Sequence, residues 1–320
     1  MPDMNISSSN QIPYFVMICF PTIQSWQHWL SIPLALLLLL AIVANITMLA
    51  VIKREKSLRE PMYYFLSILS VLDLVLCLTT TPKILGILCF NLKVIDLPSC
   101  FTQMYIINSF VIMESAAFLV MAYDRYSAIC NPLRYNSVIT KRFVAKALVF
   151  IVLRSGLVCL PYPLMASSFQ YCRRNVIENC ICSIVSVTSL ACSDNTVLKL
   201  YQLVLAFGIL GGDFIIILLS YFMILWAVLK LKTEGAAAKA FSTCISHLIL
   251  ISFFYTIILV LIFTNKMEKV IPTEIPILLN ILHLLVPPAL NPMVYGVRTK
   301  EIRHGVIKML RDGQTIVKGN

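Results

Sequence analysis

Seven long apolar stretches, separated by short polar segments, run from position 30 almost to the C-terminus. Leu30 to Ile52, Ala240 to Asn265 and Ile275 to Val297 carry no charge. Met62 to Pro82 carries only Asp73, Ser99 to Tyr123 only Glu114, Ala147 to Gln170 only Arg154, and Leu200 to Leu229 only Asp213. Each is too long for a buried strand. A membrane-spanning helix needs about 20 mostly apolar residues, so the pattern predicts an all-α membrane protein, a seven-transmembrane helix bundle.

The basic residues orient that bundle, because Lys and Arg near helix ends stay on the cytoplasmic side. With the N-terminus outside, the inner segments hold 18 basic residues against six acidic ones, a net of +12. The outer segments are then close to neutral. Residues 1–29 form an extracellular N-terminus, 30–297 the seven-span domain, and 298–320 a cytoplasmic tail. Within that tail Ile302, Val306 and Leu310 recur at fourfold spacing between basic residues, the pattern of a short amphipathic helix on the anionic inner leaflet.

Composition agrees. Of the 320 residues 59% are hydrophobic and 13% charged, with a mean hydropathy of +0.86. Soluble domains are about 45–50% apolar and about 25% charged, which excludes an ordinary water-soluble enzyme. The net charge of +11 would suit a nucleic-acid partner if it formed one patch, but its distribution makes it a topology signal. No cleavable signal peptide is expected in residues 1–29, which lack Lys and Arg and contain Asp3. Asn5-Ile6-Ser7 is a glycosylation sequon on the outer side; Asn45-Ile46-Thr47 has the same pattern inside a span, where it cannot be modified.

The connection of about 30 residues between the fourth and fifth spans concentrates Cys172, Cys180, Cys182 and Cys192, and Cys100 opens the third span on the same, oxidising side. We expect one bridge from Cys100 to this loop and one within it, leaving one thiol over. Cys182 is taken as the partner of Cys100, with Cys180 open as the alternative, and Cys172 as the partner of Cys192. Cys19, Cys77, Cys89, Cys130, Cys159 and Cys244 read as small buried apolar residues. No metal-ligand cluster is expected.

An ionisable residue inside a bilayer costs at least about 2.5–3.5 kcal/mol, so each of the four should face the bundle and find a partner. Asp73 and Glu114 sit near the middle of their spans. Arg154 and Asp213 have no partner assignable by sequence.

Several segments together carry a family resemblance. They are Pro61 through Ser67 (PMYYFLS), Met121 through Tyr135 (MAYDRYSAICNPLRY), Ser220-Tyr221, Lys239 through Leu248 (KAFSTCISHL) and Pro288 through Arg303 (PALNPMVYGVRTKEIR). With seven spans they resemble the odorant receptors of the rhodopsin-like G-protein-coupled superfamily, over nearly the whole chain. The segment Val297 through Arg303 and the pair Leu153-Arg154 lean toward the fish-like class I subgroup. Ser127 in place of the usual Val, and Ala44 before Asn45 where Gly is common, are small departures. Tyr123 before the Asp-Arg-Tyr triplet, in place of Phe, weakens the subgroup assignment slightly.

The resemblance implies roles. Asp124, Arg125 and Tyr126 would close the third span, with Arg125 engaging a stimulatory olfactory G protein when the sixth helix swings out. Lys239 through His247 would form the moving cytoplasmic end of that helix, Tyr221 and Tyr295 would turn inward beside Arg125, and Asn291-Pro292 would supply a hinge. Asp73 and Glu114, with Asn45 and Asn291, would form the polar cluster where related receptors hold sodium; the plainer alternative is a packing network, or a protonated carboxyl. A small volatile odorant would bind among Asn108, Val111, Ile112, Val185, Leu205, Ile209, Tyr255, Ile258, Leu259 and Ile262. Class I members often take carboxylic acids, and Lys266 is the cation positioned for one; otherwise it is a solvated or snorkelling lysine. No cofactor is implied. The implied location is the plasma membrane of olfactory neurons, in their cilia, with membrane lipid and the G protein as partners.

Other functions fit less well. No Ser/His/Asp set, paired carboxylates or phosphate loop occurs at useful spacing, so an enzyme is not expected. A transporter would commonly show internal repeats with matching broken helices, and the seven spans are dissimilar. A receptor serving another tissue would look the same in sequence.

Overall fold

The computed structural model describes residues 13–22, 24–171, 175–230, 234–267 and 270–318; the side chains of 234–243 and 312–318 lie outside that description. Asn5, Cys172 and the side chain of Lys239 therefore lie outside the described residues. Seven helices among them are long and apolar enough to cross a membrane. They are built on α1 (Gln27–Arg54), α2 (Pro61–Phe90), α3 (Leu97–Cys130), α5 (Lys141–Cys159) with α6 (Pro161–Ser167), α8 (Thr196–Leu205) with α9 (Gly211–Leu229), α10 (Glu234–Lys266) and α11 (Glu274–Arg298). A short α4 (Pro132–Val138) follows α3 on the cytoplasmic side, α7 (Ile184–Thr188) lies in the long outer loop, and α12 (Lys300–Lys318) follows the seventh span.

Local chemistry sets the helix ends. Asp96 caps α3 by accepting from the Ser99 amide at 3.0 Å, and the Ser99 bonds hold its carboxyl below the usual range. Asn91 ends α2 in the left-handed conformation, with φ at 56°. Two spans are interrupted. Pro161 lacks an amide hydrogen and starts a new helix after Leu160, which divides the fourth span. In the fifth, Ala206–Leu210 winds as a π-helical turn that inserts an extra residue between α8 and α9.

Helix α3 is the axis. Buried residues make up 67% of its most apolar window, against 22% for the fifth span and 28% for the first and fourth, which turn most of their surface to lipid. Two large hydrophobic cores surround it among the described residues, one in the outer half around Ile84, Met104 and Ile281, and one in the inner half around Leu66, Phe118 and Phe254, with a small third cluster where Met113, Ala116 and Ala117 meet Ile151 of α5.

A three-stranded sheet covers the outer end. β1 (Tyr14–Met17) lies between β2 (Val94–Asp96), which it pairs antiparallel, and β3 (Val176–Ile177), which it pairs parallel. At the inner end α12 crosses α1 closely: a Cβ on Gly305 would lie 2.6 Å from Val51 Cγ1. Ile302 is buried there, and Lys308 Nζ reaches Glu55 Oε1 at 3.0 Å.

Candidate functional site

A cavity of about 180 Å³ opens in the outer half between α3, α6, α8, α10, α11 and the loop helix α7. Asn108, Val111, Ile112, Val185, Leu205, Ile258 and Ile262 line it. Its polar lining consists of Asn108, Ser183, Gln202, Asn265, Asn280 and His283, set among apolar side chains. Asn108 Nδ2 donates to the Met104 carbonyl at 2.7 Å, which leaves its amide oxygen available to a guest.

Four residues expected there are placed elsewhere. Ile209 is displaced because the π turn shifts the register by one residue, and Leu210 lines the cavity in its stead. Leu259 is 58% exposed on the lipid side of α10. Lys266 lines a neighbouring cavity. Tyr255 lies below the main cavity in a buried polar network. There Ser115 Oγ donates to Asp213 Oδ2 at 2.8 Å and shares a 2.9 Å hydrogen bond with the Tyr255 hydroxyl. Arg154 Nη2 meets Asp213 Oδ1 at 2.8 Å, so the two ionisable residues without an assigned partner are partners of each other. The Arg154 guanidinium also lies 5.7 Å from the Phe150 ring centroid. The third to sixth spans, through α3, α5, α9 and α10, thus meet at one ion-paired knot.

A second polar cluster joins α2, α3 and α11. Asn291 Nδ2 lies 3.0 Å from Asp73 Oδ2 and 3.4 Å from Glu114 Oε1. All three are buried. Asn45 stands apart from the carboxylates: its Nδ2 donates to the carbonyls of Ala41 at 2.9 Å and Pro288 at 2.8 Å, tying α1 to α11. The two carboxylates offer a small cation hard oxygen ligands and a negative field, whereas the Asn291 Nδ2 donor aimed at them would have to turn aside for it.

At the cytoplasmic end Arg125 is tied to Asp124, with Nε to Oδ2 at 2.9 Å. Asp124 also accepts from the Tyr135 hydroxyl at 2.9 Å. Burial and the Asp124 carboxylate push that hydroxyl above its ordinary range. Tyr135 sits on α4 and was not singled out by sequence, although its motif was. Tyr221, His247 and Tyr295 are buried beside this pair, and Tyr126 packs on the inner core. The His247 and Tyr295 rings meet edge to face at 5.4 Å. The Tyr221 and Tyr295 hydroxyls and His247 Nδ1 have no hydrogen-bond partner among the described residues. Pro292 is buried within α11.

The outer lid is fastened twice. Cys100 is bonded to Cys182, and Cys180 is bonded to Cys19. Cys19 is therefore no inert buried thiol. It is itself the disulfide partner of Cys180, so no loop thiol is left over in that position, because β1 brings residue 19 back over the loop. Cys192 is disulfide-bonded as well, and Cys172 lies outside the described residues. Gln103 Oε1 accepts from the Cys182 amide at 3.0 Å, which fixes the lid on α3.

Known proteins share much of this sequence. A family model described as olfactory receptor matches residues 34–313. Human olfactory receptor 56A4 is 57% identical over 304 residues, covering 95% of this chain and 97% of that protein. Human olfactory receptor 56A1 is 56% identical over 315 residues, covering 98% and 99%. Mouse olfactory receptor 56B34 is 48% identical over 303 residues, covering 95% and 94%. With the family model spanning most of the seven-helix bundle and its cavity, the chain belongs to the olfactory receptor family.

Proposed function

We propose that a small volatile, amphipathic odorant binds in the outer cavity and that its binding activates a stimulatory heterotrimeric G protein, raising cyclic AMP. One observation carries this reading. Ile258 and Ile262 line the cavity one and two turns above Tyr255 on the same helix, and Tyr255 is hydrogen-bonded into the network that joins α3, α5 and α9. A guest pressing on α10 therefore acts on the helix whose far end carries His247 beside Arg125. Release of Arg125 from Asp124 and Tyr135 would expose it to the G protein, with Tyr221 and Tyr295 re-forming its surroundings through their free hydroxyls.

Ligand size bounds affinity. About 10 heavy atoms at roughly 0.3–0.8 kcal/mol each give millimolar to micromolar binding. Activation then comes from differential affinity for two states. The Asp73–Glu114–Asn291 cluster holds a sodium ion in the resting state and loses it as the helices rearrange. The receptor acts at the plasma membrane, in the cilia of olfactory neurons.

The test is cyclic AMP in cells carrying this chain and a stimulatory olfactory G protein, challenged with aliphatic acids, aldehydes, alcohols and ketones. A response that disappears in Arg125→Ala at equal surface expression supports the reading. Silence across the panel with confirmed surface expression counts against it.

A further inference from the structure

A cavity of about 250 Å³ lies in the cytoplasmic half of the bundle, between α9 and α10. Its α9 wall includes Leu218, Tyr221, Phe222 and Leu225, and its α10 wall is formed by Cys244 and Leu248. Leu218, Phe222 and Leu225 are 48%, 67% and 40% exposed, on a span that turns most of its surface to lipid, so the mouth opens to the bilayer. Tyr221 is the contrast. It is 7% exposed, and its buried hydroxyl has no hydrogen-bond partner among the described residues. That hydroxyl lies within electrostatic reach of the Cys244 thiol on the α10 wall, and of Arg125. A buried donor without an acceptor is costly, so the cavity favours a guest that brings one. A phospholipid ester does not supply it. Lys230, with its ammonium 3.3 Å from the Trp226 ring centroid, marks the headgroup level, and Tyr221 precedes Lys230 by nine positions, roughly 13 Å of helix. Beyond Tyr221 the described walls are apolar except for the Cys244 thiol, a weak acceptor. An alcohol or an acid paired with Tyr221 would therefore bury a proton without a good partner, whereas a carbonyl compound would not. At about 30 Å³ for each water-sized group, the space takes about eight such groups.

We infer that this cavity is an inhibitory site for a small apolar ketone that enters from the inner leaflet, accepts a hydrogen bond from the Tyr221 hydroxyl and lays its alkyl chain between α9 and α10. Each methylene enriches such a molecule in the bilayer about fourfold, which supplies it at the mouth. The inhibition rests on the odorant-receptor reading above; the binding itself does not require signalling. A guest here bridges the two helices in the arrangement in which Arg125 is tied to Asp124, and a Tyr221 hydroxyl held by the guest is not free to turn to Arg125. It opposes the outward swing of α10 by as much as its affinity differs between the two states.

The test uses the full chain in phosphatidylcholine nanodiscs with a photoreactive 2-octanone carrying a chain diazirine, and a matched octane probe. Ketone adducts should map to the peptides containing Phe222, Leu225 and Leu248 and be displaced by excess 2-octanone. Tyr221→Phe should lower ketone labelling there about threefold to tenfold, while octane labelling changes less than about twofold. Leu225→Trp, which fills the mouth, should lower labelling by both probes, with thermal unfolding checking the fold of each variant. Nucleotide-free stimulatory G protein, which holds α10 outward, should lower ketone labelling of these peptides about threefold or more. G protein that fails to copurify with the receptor counts against the coupling reading alone, because the labelling map does not depend on signalling. Ketone adducts spread over all lipid-facing helices would overturn the site. Ketone labelling unchanged in Tyr221→Phe would do the same, since the cavity would then hold any apolar chain. Labelling unchanged with G protein bound would overturn the inhibitory role.

Discussion

The two buried polar clusters in this bundle solve the same physical problem in opposite ways. Around Asp213 the charge is balanced from within: a guanidinium at 2.8 Å, a serine hydroxyl, and a tyrosine hydroxyl behind it. Around Asp73 and Glu114 two carboxyl groups share one amide, and no cationic side chain joins them among the described residues. The first is a charge-balanced structural joint between four helices, although Arg154 Nη1 has no hydrogen-bond partner among the described residues. The second is complete only when a proton or a cation is added, so its occupancy can change with receptor state. One cluster therefore holds the bundle, and the other is suited to report on it.

The largest effect should come from breaking the charge-balanced joint. Asp213→Ala leaves the half-buried Arg154 guanidinium inside a span without its counter-charge, which costs about 2.5–3.5 kcal/mol and should abolish surface expression or lower the unfolding temperature of purified receptor steeply. Replacing both partners, as Arg154→Met with Asp213→Leu, should recover most of the loss. A double variant as unstable as the single one would mean that the pair is not self-contained.

The unfinished cluster should answer to ions instead. If sodium stabilises the resting receptor, a concentration ten times its dissociation constant adds about 1.4 kcal/mol, seen as a higher unfolding temperature in sodium than in choline chloride. Asp73→Asn and Glu114→Gln should each remove that difference while keeping the hydrogen-bonding shape. Equal unfolding temperatures in the two salts for the wild type would refute a cation there.

How much of this was legible depended on whether the signal was local. The seven spans follow from run length alone, and the need of each intramembrane charge for a partner follows from solvation. The pairing of Arg154 with Asp213 did not, because 59 positions separate them and the helix rotations were unknown. A signal existed: two lone charges of opposite sign on consecutive spans neutralise each other most cheaply. Cys19 was missed although its surroundings carried a signal: Tyr14 to Phe20 is a short apolar run rich in aromatic and β-branched residues, as a strand requires, but only the pairing of β1 brings that cysteine over the loop. The cavity was half legible. Asn108 on α3 and Ile258 on α10 fall where counting puts them; counting fails where the helix is irregular, as at Ile209, where neighbours hold the side chain, as at Tyr255, and where a small error in rotation turns a residue to lipid, as at Leu259.

A smaller effect should follow from loosening the link between cavity and joint. Tyr255→Phe deletes one hydrogen bond to Ser115, worth about 0.5–1.5 kcal/mol, and leaves the ring against Phe214 at 4.6 Å. Folding should survive. Agonist potency in the cyclic AMP assay should fall by up to about tenfold, and a potency unchanged from wild type would mean that the ligand signal bypasses this hydroxyl.

The smallest effect is also the most specific, because it tests the π turn. In an unbroken α-helix Ile209 would continue the face that Leu205 presents to the outer cavity; with the extra residue, Leu210 takes that place while both side chains pack on the outer core, so only Leu210 reaches the cavity. Leu210→Ala removes methylenes from the ligand cavity, and at roughly 0.8 kcal/mol per buried methylene it should weaken an apolar agonist about threefold to tenfold. Ile209→Ala should instead lower the unfolding temperature slightly and leave potency within about twofold. The two positions are neighbours in sequence, of the same volume and hydrophobicity, so composition cannot account for a difference between them; only the inserted residue can. The reverse order of effects would show that the turn is regular α-helix in the ligand-bound receptor, and that agonist binding itself rewinds the fifth span.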